Sequence, residues 1–339
     1  MAAKLGKTEL KYGLLLGPMA GFTDHAFRSV CLSCGAEYVF SEMLSAKALC
    51  YEQKGRSGNT VRTGSLARVR PDDLPIGIQL FGSDPKFLAE AARRIENGDY
   101  RGCLSEVPPT SFDLNMGCPM PKITGNGEGS ALLKNPDLCA EIVSAVKSAV
   151  RIPVSAKIRI GYDNENINAV EVARKLEQAG VDFITVHGRT RSDLYRPGIR
   201  PDVIREVKSA VSVPVIANGD IWTPEDAVRL LAQTGADGIM VARGALGNSW
   251  LFEAIRCRID GQPFDAPNPP ERIRMAMRQL EIMTEDCGEA LAVPEARKHL
   301  AYYTKGMKGS AQTRASLMTA TGLPEIRALL DRLLQENGG

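Results

Sequence analysis

Eight short apolar runs rich in β-branched residues recur along the chain, each followed by a turn and a helical pattern. This alternation limits the fold more than any other feature. The runs are LLLGPMA (14–20), YVFSEM (38–43), IGIQLFG (76–82), FDLNMG (112–117), VSAKIR (154–159), FITVHGR (183–189), VPVIANGD (213–220) and GIMVARG (238–244). Uninterrupted apolar runs suit strands buried on both faces, as in parallel sheets. DPKFLAEAARRIENG (84–98) and TPEDAVRLLAQTG (223–235) each open on a capping residue and Pro and close on Gly, the punctuation of helices. INAVEVARKLEQAG (167–180) carries apolar residues at helical spacing. Eight strand-then-helix units over about 250 residues are the arithmetic of a TIM (β/α)8 barrel. A doubly wound parallel sheet is the competing arrangement.

After the last such unit comes GQPFDAPNPPERIR, with four prolines between residues 263 and 270, which reads as a linker. Beyond it RIRMAMRQLEIMTEDCG, PEARKHLAYYTKGM and LPEIRALLDRLLQENGG read as helices. The expected layout is an α/β barrel over 1–261, a Pro-rich linker over 262–270 and an all-helical domain over 271–339. No run of apolar residues is long enough to span a membrane, and the N-terminus lacks a hydrophobic signal region, so a cytoplasmic location is expected. Eight cysteines are then expected as thiols. Cys31 and Cys34 form a lone C-x-x-C in a helical pattern and read as packing. No carboxylate–histidine set has metal spacing, so no metal is expected.

In a TIM barrel, chemistry collects at the C-terminal ends of the strands. Those ends carry Pro18-Met19-Ala20, Glu42, Gln79, Asn115 with Cys118, Lys157 with Arg159, His187 with Arg189, Asn218-Gly219-Asp220 and Arg243-Gly244. The small residues and Arg243 after strands seven and eight fall where TIM barrels commonly hold a phosphate. Alternatively, those glycines only make tight turns. A phosphate-anchored ligand is a sugar phosphate or a flavin. Gln79 and Asn115 can both donate to and accept from a pyrimidine-like ring edge, Lys157 can stabilise an anionic ring, and Pro18-Met19-Ala20 offers a flat shelf, all of which favour flavin mononucleotide (FMN). No GxGxxG opens a strand–helix unit, so a Rossmann nicotinamide site is unsupported. His187, one of three histidines, is either a structural hydrogen bonder or part of the site beside Lys157.

Cys118 sits between Gly and Pro just past strand four, ahead of the glycine-rich TGNGEGS (124–130), which is expected to leave the loop free to move. A thiol there is either a nucleophile, needing a base or a depressed pKa, or a general acid that stays protonated near neutral pH. The acid role fits a proton donor beside a flavin.

Taken together, Gly17 to Gly21, Ser41-Glu42-Met43, Gln79 to Ser83, Leu114 to Pro119 with Gly129 to Leu133, Lys157-Ile158-Arg159, His187 to Arg191, Pro214 to Ile221 and Arg297-Lys298-His299 resemble the tRNA-dihydrouridine synthases, the bacterial B-type branch above all. The resemblance spans roughly residues 10 to 335 and implies an FMN-containing TIM barrel with a helical domain that grips tRNA. It implies that Pro18, Met19, Ala20, Gln79, Lys157, His187, Asn218, Gly219, Asp220, Ala242 and Arg243 bind FMN, that Cys118 donates the proton, and that Asn115 lies between flavin and substrate base. NADPH, or NADH, as reductant is likewise implied by the family alone. Two departures stand out: residues 99–110 lengthen the link into strand four, at the barrel end away from the chemistry, and Ala242 stands where many relatives have Gly.

The formal charge of +2 neither demands nor excludes nucleic acid, but its distribution is uneven. Residues 296–324 hold Arg297, Lys298, Lys305, Lys308 and Arg314, with Tyr302 and Tyr303, and no Asp or Glu. Residues 53–71 are also acid-free, with Lys54, Arg56, Arg62, Arg68 and Arg70, and Arg189, Arg191, Arg196 and Arg200 cluster after strand six. Basic stretches interleaved with aromatics suit phosphate contact and base stacking. Asn115, Arg159, Arg189, Arg297, Lys298 and Lys305 are the candidates for substrate contact. The expected reaction is reduction of the uracil C5–C6 bond in tRNA. The alternatives are a flavin enzyme acting on a free pyrimidine such as dihydroorotate, and an RNA-binding protein with a vestigial flavin.

Overall fold

The computed structural model describes residues 3–51, 66–98 and 106–338. An antiparallel hairpin, β1 (Ala3–Leu5) with β2 (Thr8–Leu10), comes first. The barrel follows: β3 (Leu14–Leu16), β4 (Tyr38–Phe40), β5 (Leu44–Ser45), β6 (Ile76–Phe81), β7 (Ser111–Met116), β8 (Val154–Gly161), β9 (Phe183–Thr190), β10 (Val215–Asn218) and β11 (Gly238–Val241). Each pairs in parallel with its neighbours, and β11 pairs with β3 to close the ring. β5 continues the second stave beside β6 after a short break, so the barrel has eight staves. The TIM barrel is the fold, with helices following it at the C-terminus.

The apolar runs divide by alternation. Outward residues such as Ile78, Leu80, Leu114, Ile158 and Val186 join the large core beneath the surrounding helices. The inward set is layered. At the bottom Leu15, Tyr38, Phe40, Phe183, Ile216 and Met240 pack with Ala3, Leu5 and Leu10 of the hairpin. The hairpin, unforeseen from the sequence, therefore plugs the lower mouth. Gly77 makes room for Phe40, whose ring would lie 2.6 Å from a Cβ there. Above that layer the interior turns polar. Gln79, Asp113 and Ser155 are successive register partners on β6, β7 and β8, and Asn115 and Lys157 pair one step higher.

The helices form where the punctuation placed them: Pro85–Glu96 capped by Asp84, Ala169–Gln178, and Pro224–Thr234 capped by Thr223 and ended by Gly235 in a left-handed conformation. Cys31 and Cys34 lie in and at the end of the helix His25–Ser33, buried as free thiols. At the C-terminus, Pro269–Cys287, Glu289–Tyr303, Ser310–Leu317 and Leu323–Glu336 are helical. The first begins on two of the four prolines, where their missing N–H groups leave no bond unmade. The second runs through Pro294, and the third has no counterpart in the sequence reading. Ile273, Leu280, Leu300, Tyr303 and Leu330 form their core, which Ala26 of the barrel joins. Of the inserted stretch 99–110 and the basic stretch 53–71, residues 99–105 and 53–65 lie outside the described residues. No helix among the described residues is long and apolar enough to cross a membrane.

Candidate active site

A cavity of about 490 Å³ opens at the C-terminal ends of the staves, within the roughly 300–1,000 Å³ of small-molecule sites. It collects every barrel candidate except Glu42. The loop after β3 supplies Pro18, Met19 and Ala20; β6 supplies Gln79; β7 and its turn supply Asn115 and Cys118. β8 supplies Lys157 and Arg159, β9 His187 and Arg189, β10 and its turn Asn218, Gly219 and Asp220, and β11 with its turn Ala242 and Arg243. Glu42 turns away instead, accepting the Gly21 N–H, and burial raises its carboxyl.

The cavity wall is cationic. Burial, then the charge of Arg159, pushes the Lys157 ammonium down to about 8, and its Nζ donates to Asn218 Oδ1 at 3.1 Å. His187 is held well below the ordinary imidazole value, first by burial and then by Lys157, Arg159, Arg189 and Arg243. Arg189 Nη1 lies 3.2 Å from His187 Nε2. Since a guanidinium only donates, Nε2 accepts and the ring is neutral with its proton on Nδ1.

Arg189 is buried, ion-paired with Asp220 at 2.5 Å, and donates to the Arg196 carbonyl. Arg159 Nε donates to the Gly117 carbonyl at 2.9 Å and its Nη1 to those of Thr190 and Leu194. It thus ties the Cys118 turn to the loop after β9, with no hydrogen bond from Nη2 among the described residues. Arg243 lies 4.8 Å from the Tyr195 ring centre and 5.2 Å from that of Trp222.

Cys118 is half-buried, and hydrogen bonds tie down its turn. Its N–H donates to Asn115 Oδ1 at 2.9 Å, and its carbonyl accepts from both the N–H and the hydroxyl of Ser130. Among its glycines, Gly129 serves close approach. A Cβ at Gly129, whose φ is +60°, would lie 2.8 Å from the Cys118 carbonyl oxygen. Burial raises the thiol pKa, and the Met120 N–H and the charges of Arg159 and Lys157 offset this only in part. The thiol is therefore protonated at neutral pH.

The C-terminal candidates lie outside the cavity. Arg297 donates through Nε and Nη2 to the Ala320 carbonyl, and Lys298 pairs with Glu295 at 2.5 Å. Lys305 and Lys308 are exposed. What reaches the cavity from these helices is Tyr302, whose backbone touches the loop after β11. Gly247, at φ +63°, admits it, since a Cβ there would lie 2.4 Å from the Tyr302 carbonyl carbon. Sequence reasoning did not place Phe22, Met43, Tyr195, Trp222 or Tyr302 in the cavity. Tyr195 and Trp222 follow strands directly and were legible by that rule; Phe22 and Tyr302, 280 positions apart in the chain, meet only through the fold.

A closed parallel barrel with a cavity at its C-terminal mouth, lined by Lys157, Arg159, Arg189 and Arg243, is the architecture of a TIM-barrel enzyme. The fold is similar to that of morphinone reductase, solved in complex with tetrahydroNAD, at a TM-score of 0.52 and 14% identity, covering 80% of this chain and 93% of that one. In sequence the chain is 38% identical over 315 residues to a probable tRNA-dihydrouridine synthase of Rickettsia conorii, covering 93% of this chain and 91% of that protein. It is also 38% identical over 316 residues to tRNA-dihydrouridine synthase B of Pseudomonas putida, covering 93% and 89%. The family model for dihydrouridine synthase (Dus) matches residues 15–337, and the chain belongs to that family.

Proposed function

We propose that this protein reduces the C5–C6 double bond of uridines in tRNA to 5,6-dihydrouridine, with FMN in the cavity and NADPH or NADH as reductant. Membership in the family supports the reaction. The donor set fits the flavin: Arg243 and the bare turn at Gly219, where a Cβ would lie 2.7 Å from Ile199, suit a phosphate, with Asn218, Asp220, Ala242 and His187 around it. Gln79, Asn115 and Lys157 suit a polar ring edge, over the shelf of Pro18, Met19 and Ala20. When bound, the flavin supplies the hydride that adds to uracil C6.

The observation that carries the mechanism is the Cys118 turn, fixed at both its backbone groups beside Lys157 and Arg159, with burial raising the thiol pKa. As C6 gains hydride, an electron pair is left at C5. Cys118 Sγ gives its proton there, so that S–H breaks as C–H forms. The thiolate produced is balanced by Arg159 and Lys157 until solvent returns a proton. Among the described residues no hydrogen bond joins the Cys118 thiol to a histidine or carboxylate, which favours the acid over the nucleophile. The acid-free stretch 296–324, with Lys305 and Lys308 exposed, and Tyr302 at the mouth favour an RNA-borne base over a free pyrimidine. The base leaves its stack to enter, which is cheapest from a loop.

Mass spectrometry of tRNA incubated with the flavin-loaded protein and NADPH tests this reading. A uridine heavier by two hydrogens is expected. Turnover of free dihydroorotate with unmodified tRNA would overturn it in favour of the free-pyrimidine enzyme.

A further inference from the structure

One carboxylate inside the barrel has no part in the chemistry above. Asp113 is fully buried in the middle of β7, in the first polar layer above an apolar one. A buried carboxylate is costly unless its oxygens are satisfied, and both are. Oδ1 accepts from Ser155 Oγ at 2.6 Å and Oδ2 from Gln79 Nε2 at 2.7 Å. Gln79 Oε1 in turn accepts from Asn115 Nδ2 at 2.8 Å. Asn115 Oδ1 accepts the backbone N–H groups of Gly117, at 3.2 Å, and Cys118, at 2.9 Å.

The direction of this chain of bonds is forced from both ends. Burial raises the Asp113 carboxyl to about 6, so above that pH it is ionised and only accepts, and Gln79 must turn its amide nitrogen toward Asp113 and its oxygen toward Asn115. At the other end two peptide N–H groups only donate, so Asn115 must turn its oxygen toward them. Flipping either amide sets donor against donor or acceptor against acceptor. We infer that Asp113 is a positioning residue. It anchors the amide of Gln79 in the polarity that Asn115 needs, and by completing that relay it helps to hold the turn that presents Cys118. The inference takes its catalytic consequence from the proposed role of Cys118, but the positioning itself does not depend on that role.

Two variants and two readouts test it. In Asp113→Leu the relay loses its fixed acceptor. Alkylation of Cys118 by iodoacetamide, resolved by peptide mass spectrometry against Cys50, Cys257 and Cys287 as internal references, is expected to accelerate several-fold. The kcat is expected to fall roughly ten- to hundredfold, the scale of a misplaced catalytic group, with tRNA affinity unchanged. Asp113→Asn keeps a carbonyl oxygen for Gln79, and the Ser155 hydroxyl can rotate to accept from the new amide. It is expected to restore both readouts. The inference is overturned if a folded Asp113→Leu keeps wild-type alkylation and kcat, or if Asp113→Asn is as impaired as the Leu variant, since the negative charge rather than its acceptor geometry would then be at work. Should Asp113→Leu not fold, Gln79→Met cuts the relay one step later, and unchanged Cys118 alkylation in it is equally fatal. Loss of the acid role, shown by full turnover in Cys118→Ala, would leave the alkylation arm standing.

Discussion

Cys118 and Lys157 face one cavity but carry opposite expectations about their protons. Cys118→Ala should retain flavin, tRNA affinity and flavin reduction by NADPH, while uridine turnover falls about 10²–10⁴-fold, the range of general-acid catalysis. Stopped-flow oxidation of the prereduced enzyme by tRNA measures this; reoxidation at the wild-type rate would remove the thiol from the mechanism. Lys157 has its ammonium lowered to about 8, with burial as the main cause, so it is charged below that pH and neutral above it. In protein stripped of flavin, FMN affinity should weaken as pH rises through about 8, and titrations with Lys157→Met should show no such limb. The strand-end rule made both residues legible, because polar side chains closing apolar runs stand out. Asp113 escaped the same rule. It lies inside a run rather than at its end, and only the barrel's inward row shows that its neighbours are Gln79 and Ser155.

At the scale of elements, the eight staves were legible because each buries two faces and so reads as a continuous apolar run. The hairpin Ala3–Leu10 was not, because its strands are three residues long and their pattern shows only against the barrel bottom. The loop after β7 makes a contact that its glycine-rich sequence does not reveal. Glycine permits mobility, but it also permits contact, and here Ser130 and Gly129 close on the Cys118 carbonyl. Gly129→Ala should therefore cost more than a flexible-loop substitution. A non-glycine residue at its positive φ is strained by about 1–2 kcal/mol, and the added methyl meets the Cys118 carbonyl and Ile123. Thermal melts should show lost stability, and turnover should fall at unchanged tRNA affinity. Wild-type turnover would mean that the loop yields without moving the thiol.

Across the whole molecule, barrel and C-terminal helices meet at a charged seam. His25 Nδ1 lies 2.8 Å from Asp286 and Nε2 3.2 Å from Asp72, while Arg70 also pairs with Asp286. Burial opposes the charge on His25, yet the Asp286 hydrogen bond and the charges of Asp73, Asp286 and Asp72 leave its pKa raised. A raised folded pKa means that this stabilisation is complete below the unfolded value of about 6.5 and fades as pH climbs through the folded value. The melting temperature should fall across that window, and His25→Asn should flatten the fall. Equal slopes in the two proteins would discount the seam. On the outer face, Lys305→Glu with Lys308→Glu should weaken tRNA binding and flatten its salt dependence, because the slope counts phosphates neutralised. FMN content should stay constant, and an unchanged slope would make that face a solvated one. These helices also do something that a detachable RNA grip would not. Because Gly247 seats the Tyr302 backbone against the loop that carries Arg243, the last wall of the cavity is borrowed from the far end of the chain. Cut away, these helices would leave the cavity open on the Tyr302 side, so the barrel and the C-terminal helices build one site together.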